Sequence, residues 1–284
     1  MPQESQSKRR RPLPVVAAPL AFRCVSEPRP EGAVRASGVG PSGLPVRGRS
    51  AELIAELEAH ANPANVAGMA RYGISTDHTL GVPIPLLRGL AKRAGTDHRL
   101  AGALWASGIH EARILATMVE DPARMTSAQM DRWARDFDSW DVCDQACQNL
   151  FRCTPFACAK AVQWSGAKQE FVRRAGFALM AGLAAQPSEM KDAQFEAFLK
   201  LVAGAATDDR NMVKKAVNWA LRQIGKRNAR LLKKAIAAAE RIERLDSRSA
   251  RWIAKDALRE LRGRAASYRS RDREGAVAWR RGNC

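Results

Sequence analysis

The sequence has little of the chemistry that binds metal ions. Its cysteines include no C-x-x-C pair, and its four histidines form neither an H-x-E nor an H-E-x-x-H motif. Because zinc sites usually supply ligands at such spacings, we expect no metal and no cofactor. Most of the cysteines fall in one predicted helical stretch, which indicates small buried hydrophobes, no structural disulfide and a reducing compartment. The six cysteines are Cys24, Cys143, Cys147, Cys153, Cys158 and Cys284.

Long apolar runs are also missing, since no stretch approaches the roughly 20 residues of a membrane span. We therefore expect no membrane association and a cytoplasmic location. Residues 1–48 are rich in Pro, Gly and Arg, and prolines interrupt the apolar part that follows Lys8-Arg9-Arg10-Arg11. This composition predicts a disordered basic tail, with a targeting segment or an early translation start left open. Residues 263–284 predict a flexible basic C-terminal tail.

Negative charge is scarce, with 29 Asp and Glu against 47 Lys and Arg, a formal net charge of +18. The excess is concentrated in one region. Residues 210–262 carry 16 basic and 5 acidic side chains, a net of +11, whereas residues 51–209 carry 16 and 19, a net of −3. A basic run usually only solvates a helix face, but a local excess of this size indicates a face that binds a polyanion.

Residues 49–262 show apolar side chains at helical spacing almost throughout, and no segment alternates as a strand does. Short breaks carrying Gly, Pro, Asp or Asn separate the helices and favour antiparallel pairs. The pairs recur at about 30 to 45 residues, as HEAT-like repeats do. We predict an all-α HEAT-like solenoid with a concave binding face, with a compact helical bundle as the alternative. The predicted helices are 51–61, 84–94, 98–107, 111–120, 127–136, 139–151, 155–164, 169–185, 189–203, 210–226, 229–241 and 247–262.

Two segments place aromatic and charged side chains on shared helix faces. Trp140 and Asp144 are four residues apart, so on a helix they lie on one face. Trp219 has Lys215 four residues before it and Arg222 three residues after it. Together they predict a nucleic-acid surface that includes a carboxylate. A surface that only bound phosphate groups would not be expected to include a negatively charged carboxylate. The Asp144 carboxylate therefore needs an explanation other than phosphate binding.

Several motifs, in order along the chain, resemble those of the AlkD-like DNA alkylation repair glycosylases. The resemblance covers roughly residues 50–262. Ser139 stands where some relatives carry a second aromatic residue. The N-terminal motifs are Tyr72-Gly73-Ile74, Leu80-Gly81-Val82-Pro83 and Leu87-Arg88-Gly89-Leu90-Ala91-Lys92; the later ones are Trp140-Asp141-Val142-Cys143-Asp144, Phe171-Val172-Arg173-Arg174-Ala175 and Val213-Lys214-Lys215-Ala216-Val217-Asn218-Trp219-Ala220-Leu221-Arg222.

The resemblance implies a HEAT-like superhelix that holds duplex DNA in its concave face and cleaves the glycosidic bond of cationic N3- or N7-alkylated purines. Nothing in the sequence requires an oligomer, so we expect a monomer. By matching position it implies that Asp144 is the catalytic carboxylate and that Trp140 and Trp219 line the deoxyribose. One of two adjacent arginines, Arg174 rather than Arg173, would hold the DNA backbone. It also implies a site that contacts sugar and backbone without enclosing the base, whereas most enzymes that act on bases extrude them into a pocket.

The chemistry accounts for these residue types independently. A cationic alkylated base leaves without a general acid, and its departure creates an oxocarbenium-like sugar that an anion and a π face stabilise. A carboxylate about 4 Å from that cation contributes roughly 4 kcal/mol at an effective dielectric constant near 20, on the order of a thousandfold in rate. Asp144 can also orient the attacking water.

Other side chains receive simpler interpretations. Asp141 lies in a first helical turn, where it stabilises the positive helix end. The tryptophans at 105, 133, 164, 252 and 279 are assigned to packing or left without a role. The basic side chains of the C-terminal region are expected to contact phosphates without reading sequence, with no obligate protein partner. They are Lys214, Lys215, Arg222, Lys226 and Arg227.

Two other classes of function stay open. The first is a non-catalytic HEAT-like protein that binds DNA in its groove without catalysing a reaction. The second is a HEAT-type scaffold that binds an acidic protein partner through the same basic region. Retention of Asp144 and both tryptophans argues against the first class. A helix-hairpin-helix glycosylase is disfavoured because no L-P-G-V-G-like hairpin occurs.

Overall fold

A computed structural model describes residues 45–186 and 189–282, with side chains defined through residue 267. All the regular secondary structure in this part of the chain is helical. The predicted N-terminal tail therefore lies almost wholly outside the described residues. The helices are α1 (Val46–Ala59), α2 (Pro63–Ala70), α3 (Ile84–Ala94), α4 (His98–Ala106), α5 (His110–Val119), α6 (Ser127–Arg135), α7 (Trp140–Gln145), α8 (Ala157–Ser165), α9 (Glu170–Ala185), α10 (Asp192–Gly204), α11 (Asn211–Lys226), α12 (Ala229–Glu243) and α13 (Arg248–Gly282).

The helices stack in two layers, which confirms the predicted all-α repeat. Consecutive helices such as α8 and α9, or α12 and α13, pack as pairs, and equivalent members of successive pairs contact one another. One layer, which we call the site layer, consists of α5, α7, α9, α11 and α13 in contact order, while α8, α10 and α12 form the opposite layer. This order brings residues distant in sequence onto neighbouring helices.

No helix was predicted over the residues that form α2. Its eight residues are too short for a clear apolar period, and Gly68 lies inside it. The start signal was nevertheless present: the Asn62 side chain accepts hydrogen bonds from the backbone N–H groups of Ala64 and Asn65, and Pro63 occupies the first turn. This helix matters because it forms one wall of the functional site.

A stack of aromatic side chains fills the core between the layers. The rings of Trp105 and Trp133 lie parallel, with centroids 4.0 Å apart. Phe137 and Phe151 extend the cluster to Trp164. These three tryptophans are at most 5% exposed, so their predicted packing role is confirmed. Their burial provides a large share of the apolar area that holds successive pairs together.

The last helix is longer than expected. Its backbone continues to Gly282, through most of the segment predicted to be a flexible tail. That segment contains no proline and several Ala and Arg residues, both of which favour helix. Ser and Gly, on which the flexible-tail prediction depended, do not break a helix that starts from a packed N-terminal half.

Candidate functional site

Asp144 forms a two-pronged ion pair with Arg174 at the centre of the site layer. Nε of Arg174 donates to Oδ1 of Asp144 at 2.9 Å, and Nη2 donates to Oδ2 at 2.7 Å. Nη1 of Arg174 donates to the backbone oxygen of Met212 at 2.7 Å, which joins α7, α9 and α11. Bidentate pairs of this kind fix the orientation of a carboxylate.

The Arg174 side chain is enclosed by contacts within the protein. Its side chain is 6% exposed, and its guanidinium points at Asp144 and a main-chain oxygen. These contacts use three of the five N–H groups of the guanidinium. The charge and geometry of the pair suit Arg174 to holding Asp144, and its predicted contact with the DNA backbone stays a prediction.

Burial raises the pKa of Asp144 above its ordinary value of 3.8, while the Arg174 guanidinium opposes that shift and the nearby Asp141 adds to it. The bidentate contacts hold the ionised form in place. Each carboxylate oxygen has two acceptor positions, and Arg174 uses one on each, so two positions are left for water or substrate. The carboxylate, 18% exposed, can therefore still act on a neighbouring group.

Trp140 begins α7 and lies next to this ion pair. Its indole N–H donates to the backbone oxygen of Tyr72 at 3.1 Å. The guanidinium carbon of Arg174 lies 5.7 Å from the centroid of the indole ring, within the range of a cation–π contact. The predicted pairing of Trp140 with Asp144 on one helix face is thus present, and both side chains line one cavity.

Directly after Gln145 the helix changes to a π turn over Ala146–Leu150 and a 3₁₀ turn over Phe151–Cys153. A π turn adds one residue to a helical turn and is often found at functional sites. Here it lets Trp140 and Asp144 face the cavity while Cys147 and Leu150 stay fully buried in the core. Continuous α-helix over this segment was predicted, and the local apolar period gave no sign of the extra residue.

Two further acidic residues, Asp141 on α7 and Glu111 on α5, complete the site, and neither was predicted to belong to it. Nε2 of His110, a buried residue that begins α5, lies 2.8 Å from Oδ2 of Asp141. Burial lowers the pKa of His110, but the hydrogen bond and charge of Asp141 outweigh it, so the net shift is upward from 6.5. Asp141 therefore does more than stabilise the start of α7.

Glu111, which is 1% exposed, receives backbone N–H groups from the motif Leu80-Gly81-Val82. Its carboxylate accepts from Leu80 at 2.9 Å, Gly81 at 2.6 Å and Val82 at 3.3 Å. Gly81 has φ +78°, and a Cβ there would collide with the backbone oxygen of Asn62. The turn of the Leu80-Gly81-Val82 motif therefore binds the buried Glu111 carboxylate beside α2, which is a physical reason for the motif.

A cavity of about 480 Å³ lies between α2, the 72–84 loop, α5 and α7. Its walls are largely apolar, and the three carboxylates described above reach its lining together with His110 and Trp140. None of the described residues that line it is Lys or Arg. Its apolar lining residues include Gly68, Met69, Ile74, Val82, Ile84 and Ile114.

Trp219 occupies a different position from Trp140. It is partly buried, packs against the core and is not among the cavity-lining residues. It follows Met212 by two helical turns, roughly 10 Å along α11. Its predicted contact with the deoxyribose stays a prediction.

The predicted phosphate-binding side chains fall into two groups. Arg222 and Lys226 pair with Glu260 at 2.8 and 2.9 Å, and Arg227 donates to the backbone oxygen of Gln186 at 2.8 Å, so these three already have partners within the protein. Lys215 is exposed, with no ion pair or hydrogen bond among the described residues. Arg173 is 25% exposed and lies 3.4 Å from Asp208.

A further aromatic residue, Trp252, lies on α13 of the site layer, and no contact was predicted for it. Trp252 on α13 is 42% exposed, and Nζ of Lys214 lies 5.0 Å from the centroid of its ring. Exposed indoles beside cationic side chains are suited to contact nucleotides. The contact between Trp252 and Lys214 could not be predicted from their spacing in the sequence, because it depends on the packing of α11 against α13.

Within the described part of the chain, no group of three or more His, Cys, Asp or Glu side chains could hold a metal ion. No helix of that part is long and apolar enough to cross a membrane. Four cysteines are free thiols, and two others, Cys24 and Cys284, lie outside the described residues.

Comparison with known structures supports the fold. A structure described as "a new family of proteins related to the HEAT-like repeat DNA glycosylases with affinity for branched DNA structures" has a TM-score of 0.64 and 20% identity, covering 74% of this chain and 94% of that chain. This likeness confirms a HEAT-like repeat fold. An engineered protein has a TM-score of 0.34 and 14% identity, covering 66% of this chain and 93% of its own, too low to support an argument.

The comparison of sequence families identifies the chain itself. No match was found among curated proteins. The family described as "DNA alkylation repair enzyme" matches residues 53–261, a span that includes every described element of the site from Tyr72 to Trp252. With the two-layer helical fold and the Asp144–Arg174 pair in place, the chain belongs to the DNA alkylation repair enzyme family.

Proposed function

We propose that this protein is a DNA glycosylase that releases cationic N3- or N7-alkylated purines from duplex DNA. The observation that carries the proposal is the fixed Asp144 carboxylate beside the Trp140 indole. In the reaction, the glycosidic bond breaks and its electron pair leaves with the cationic base, which becomes neutral. The sugar gains positive charge, and water then adds to it and loses a proton.

Asp144 would stabilise the sugar cation and orient the water, since it keeps two free acceptor positions. Trp140 would present its π face to the same charge. Arg174 would act as a positioning residue, because all its described contacts are with Asp144, Trp140 and Met212. Family membership supports alkylation repair in general, and the named reaction is our step beyond it.

DNA would lie across the site layer, with Lys215, Lys214 and Trp252 near its backbone. The net charge of +11 over residues 210–262 favours a polyanion there, even after the internal ion pairs of Arg222 and Lys226 are set aside. Because phosphate contacts carry no sequence information, such a surface suits a search of unmodified duplex.

The test is release of 7-methylguanine and 3-methyladenine from methylated duplex DNA by the purified full chain. We expect Asp144→Asn to lower the release rate on the order of a thousandfold while DNA affinity stays within about twofold. Asp138→Asn, an exposed carboxylate in the preceding loop, serves as the matched control and keeps the wild-type rate. Circular dichroism of each variant checks that the helices are intact.

A second function, binding without excision, has one observation in its favour. The related structure is described as having affinity for branched DNA, and both oxygens of Asp144 are engaged by Arg174 here. Absence of base release from wild type and both variants, with duplex binding intact, would exclude the glycosylase. Tighter binding to a four-way junction than to duplex of equal length would then support this second function.

A further inference from the structure

A regular series of contacts between α11 and α13 fixes the position of Trp252. Each contact joins residues that are 38 apart in sequence, so the two helices run in the same direction and keep a constant register. The contacts recur every four residues, which places them along one face of each helix. The pairs are Lys214 with Trp252, Asn218 with Asp256 and Arg222 with Glu260. Trp252 is therefore held beside the first turn of α11.

The indole of Trp252 is exposed in a cationic setting. Nζ of Lys214 lies 5.0 Å from the centroid of its ring. On α13, Arg248 lies four residues before Trp252 and Lys255 three residues after it, so both are its neighbours on the helix surface. Both are exposed, and neither has an ion pair within residues 45–186 and 189–267. Asp256, the acidic residue on the next turn, already has partners of its own.

An aromatic face bordered by cations matches the two parts of a nucleotide. Bases stack on aromatic rings with little regard to sequence, and the adjoining phosphates pair with neighbouring cationic groups. In an intact duplex both faces of a base are covered by the adjacent base pairs, so neither face is available to an indole. An unpaired base can leave this stack and contact Trp252 while Lys214 reaches its phosphate.

We infer that Trp252 is a stacking site for an unpaired base of DNA, outside the reaction centre. The inference rests on the proposed function, because it uses the same DNA surface. Lys214 follows Met212 by two residues, and the Met212 backbone oxygen accepts from Arg174, so the stack lies at the end of α11 that meets the reaction centre. The stacked base is not the one that is released, which stays unenclosed. DNA with disrupted pairing should therefore bind more tightly than intact duplex.

The experiment compares binding of the purified full chain to a duplex and to the same duplex with one bulged thymine, at equal salt. We expect wild type to bind the bulged duplex about tenfold more tightly, as one base–aromatic stack provides. Trp252→Ala should bind the two DNAs alike, with an affinity for intact duplex within about twofold of wild type. Leu245→Ala removes another exposed apolar side chain of the C-terminal region and, as the matched control, should keep the preference. Lys215→Ala should weaken binding to both DNAs by the same factor.

A cross-linking measurement identifies the contact directly. The bulged thymine is replaced by 5-iodouracil, which cross-links to a stacked aromatic ring on irradiation, and mass spectrometry identifies the attached peptide. We expect the cross-link on the tryptic peptide Trp252-Ile253-Ala254-Lys255, in which Trp252 is the one aromatic residue. Circular dichroism and urea denaturation of each variant check that the fold is intact. Equal affinity of wild type for the two DNAs, an undiminished preference in Trp252→Ala, or a cross-link that is absent or lies elsewhere would each overturn the inference.

The outcome is separable from that of the proposed function. If wild type releases alkylated purines from methylated duplex but shows no preference for the bulge, the stacking inference fails and the glycosylase stands. If the preference for the bulge depends on Trp252 but no base is released from methylated DNA, the glycosylase fails and the stacking site remains.

Discussion

Arg174 contacts both carboxylate oxygens of Asp144 while a third nitrogen holds the Met212 backbone oxygen at 2.7 Å. Three neighbouring helices of the site layer therefore meet at one guanidinium. A carboxylate held at both oxygens by a guanidinium that is itself anchored needs little reorganisation when positive charge develops beside it. The arrangement also means that loss of Arg174 would leave a buried carboxylate without a partner, which typically costs several kcal/mol.

Arg174→Lys is expected to lower the rate of base release by about 10- to 100-fold with DNA affinity unchanged. Lysine keeps the charge but lacks the planar fork that contacts both oxygens and the Met212 carbonyl together. Single-turnover rates and equilibrium binding, measured as a function of salt, separate the two effects. Arg173→Lys is the control and should keep the rate. A loss of DNA affinity in Arg174→Lys, with chemistry intact, would assign Arg174 to the phosphate backbone after all.

The pH dependence of release follows from the raised pKa of Asp144. Because burial moves this pKa above 3.8, the carboxylate is protonated, and activity lost, at a higher pH than for an exposed aspartate. The acid limb of kcat/KM should therefore lie above pH 3.8. In Arg174→Lys the weaker ion pair should move that limb to still higher pH. An acid limb that is identical in both proteins would show that another group controls it.

Lys215 is expected to contact DNA phosphate. Its ammonium is exposed, and among the described residues it has no ion pair. Lys215→Ala should weaken duplex binding and reduce the slope of log affinity against log salt by about 0.9, the value for one lost phosphate contact. Its unfolding midpoint should stay unchanged. Lys200→Ala, an equally exposed lysine on α10 in the opposite layer, should leave the slope as it is in wild type.

Arg227, by contrast, is expected to matter for stability. It donates to backbone oxygens at the end of α9, and its guanidinium carbon lies 4.5 Å from the centroid of the Phe195 ring. Arg227→Ala should lower the free energy of unfolding by about 1 to 3 kcal/mol and leave the salt slope unchanged. Urea denaturation and DNA titration measure the two quantities. A reduced salt slope at unchanged stability would return Arg227 to the DNA surface.

The His110–Asp141 pair predicts a specific loss of stability at alkaline pH. The folded-state pKa of His110 is raised above 6.5, although burial alone would lower it. The stability from this pair is therefore fully present below pH 6.5 and is lost as pH rises through the raised value. In urea denaturation, the difference in free energy of unfolding between wild type and Asp141→Asn should shrink from pH 6 to pH 9. A constant difference would exclude the charged pair.

The sequence predicted the features that depend on local spacing. The helix over residues 84–94 has the predicted bounds, and Trp140 and Asp144 share the predicted face because i and i+4 are neighbours on any helix. The helical repeat was visible for the same reason: apolar period and turn residues are local signals. The family resemblance, which is also a matter of short motifs, holds over residues 53–261.

What the sequence left out depends on tertiary packing. Nothing in the spacing of Glu111 and Gly81 indicates that a buried carboxylate accepts three backbone N–H groups. Asp144, the partner of Arg174, lies 30 residues away on another helix. The sequence around an arginine therefore does not distinguish one that holds a carboxylate from one that binds phosphate. The cavity was missed because α2, its outer wall, has too few residues for a recognisable period.

The hydrogen bond from the Trp140 indole to the Tyr72 main chain makes the orientation of the indole independent of the Tyr72 side chain. Because the acceptor is a backbone oxygen, the orientation of the indole does not depend on which side chain occupies position 72. The Tyr72 side chain, 72% exposed at the mouth of the cavity, is thus free to vary without disturbing the tryptophan behind it. A substitution at position 72 should therefore reshape the mouth of the cavity while the Trp140 indole keeps its place.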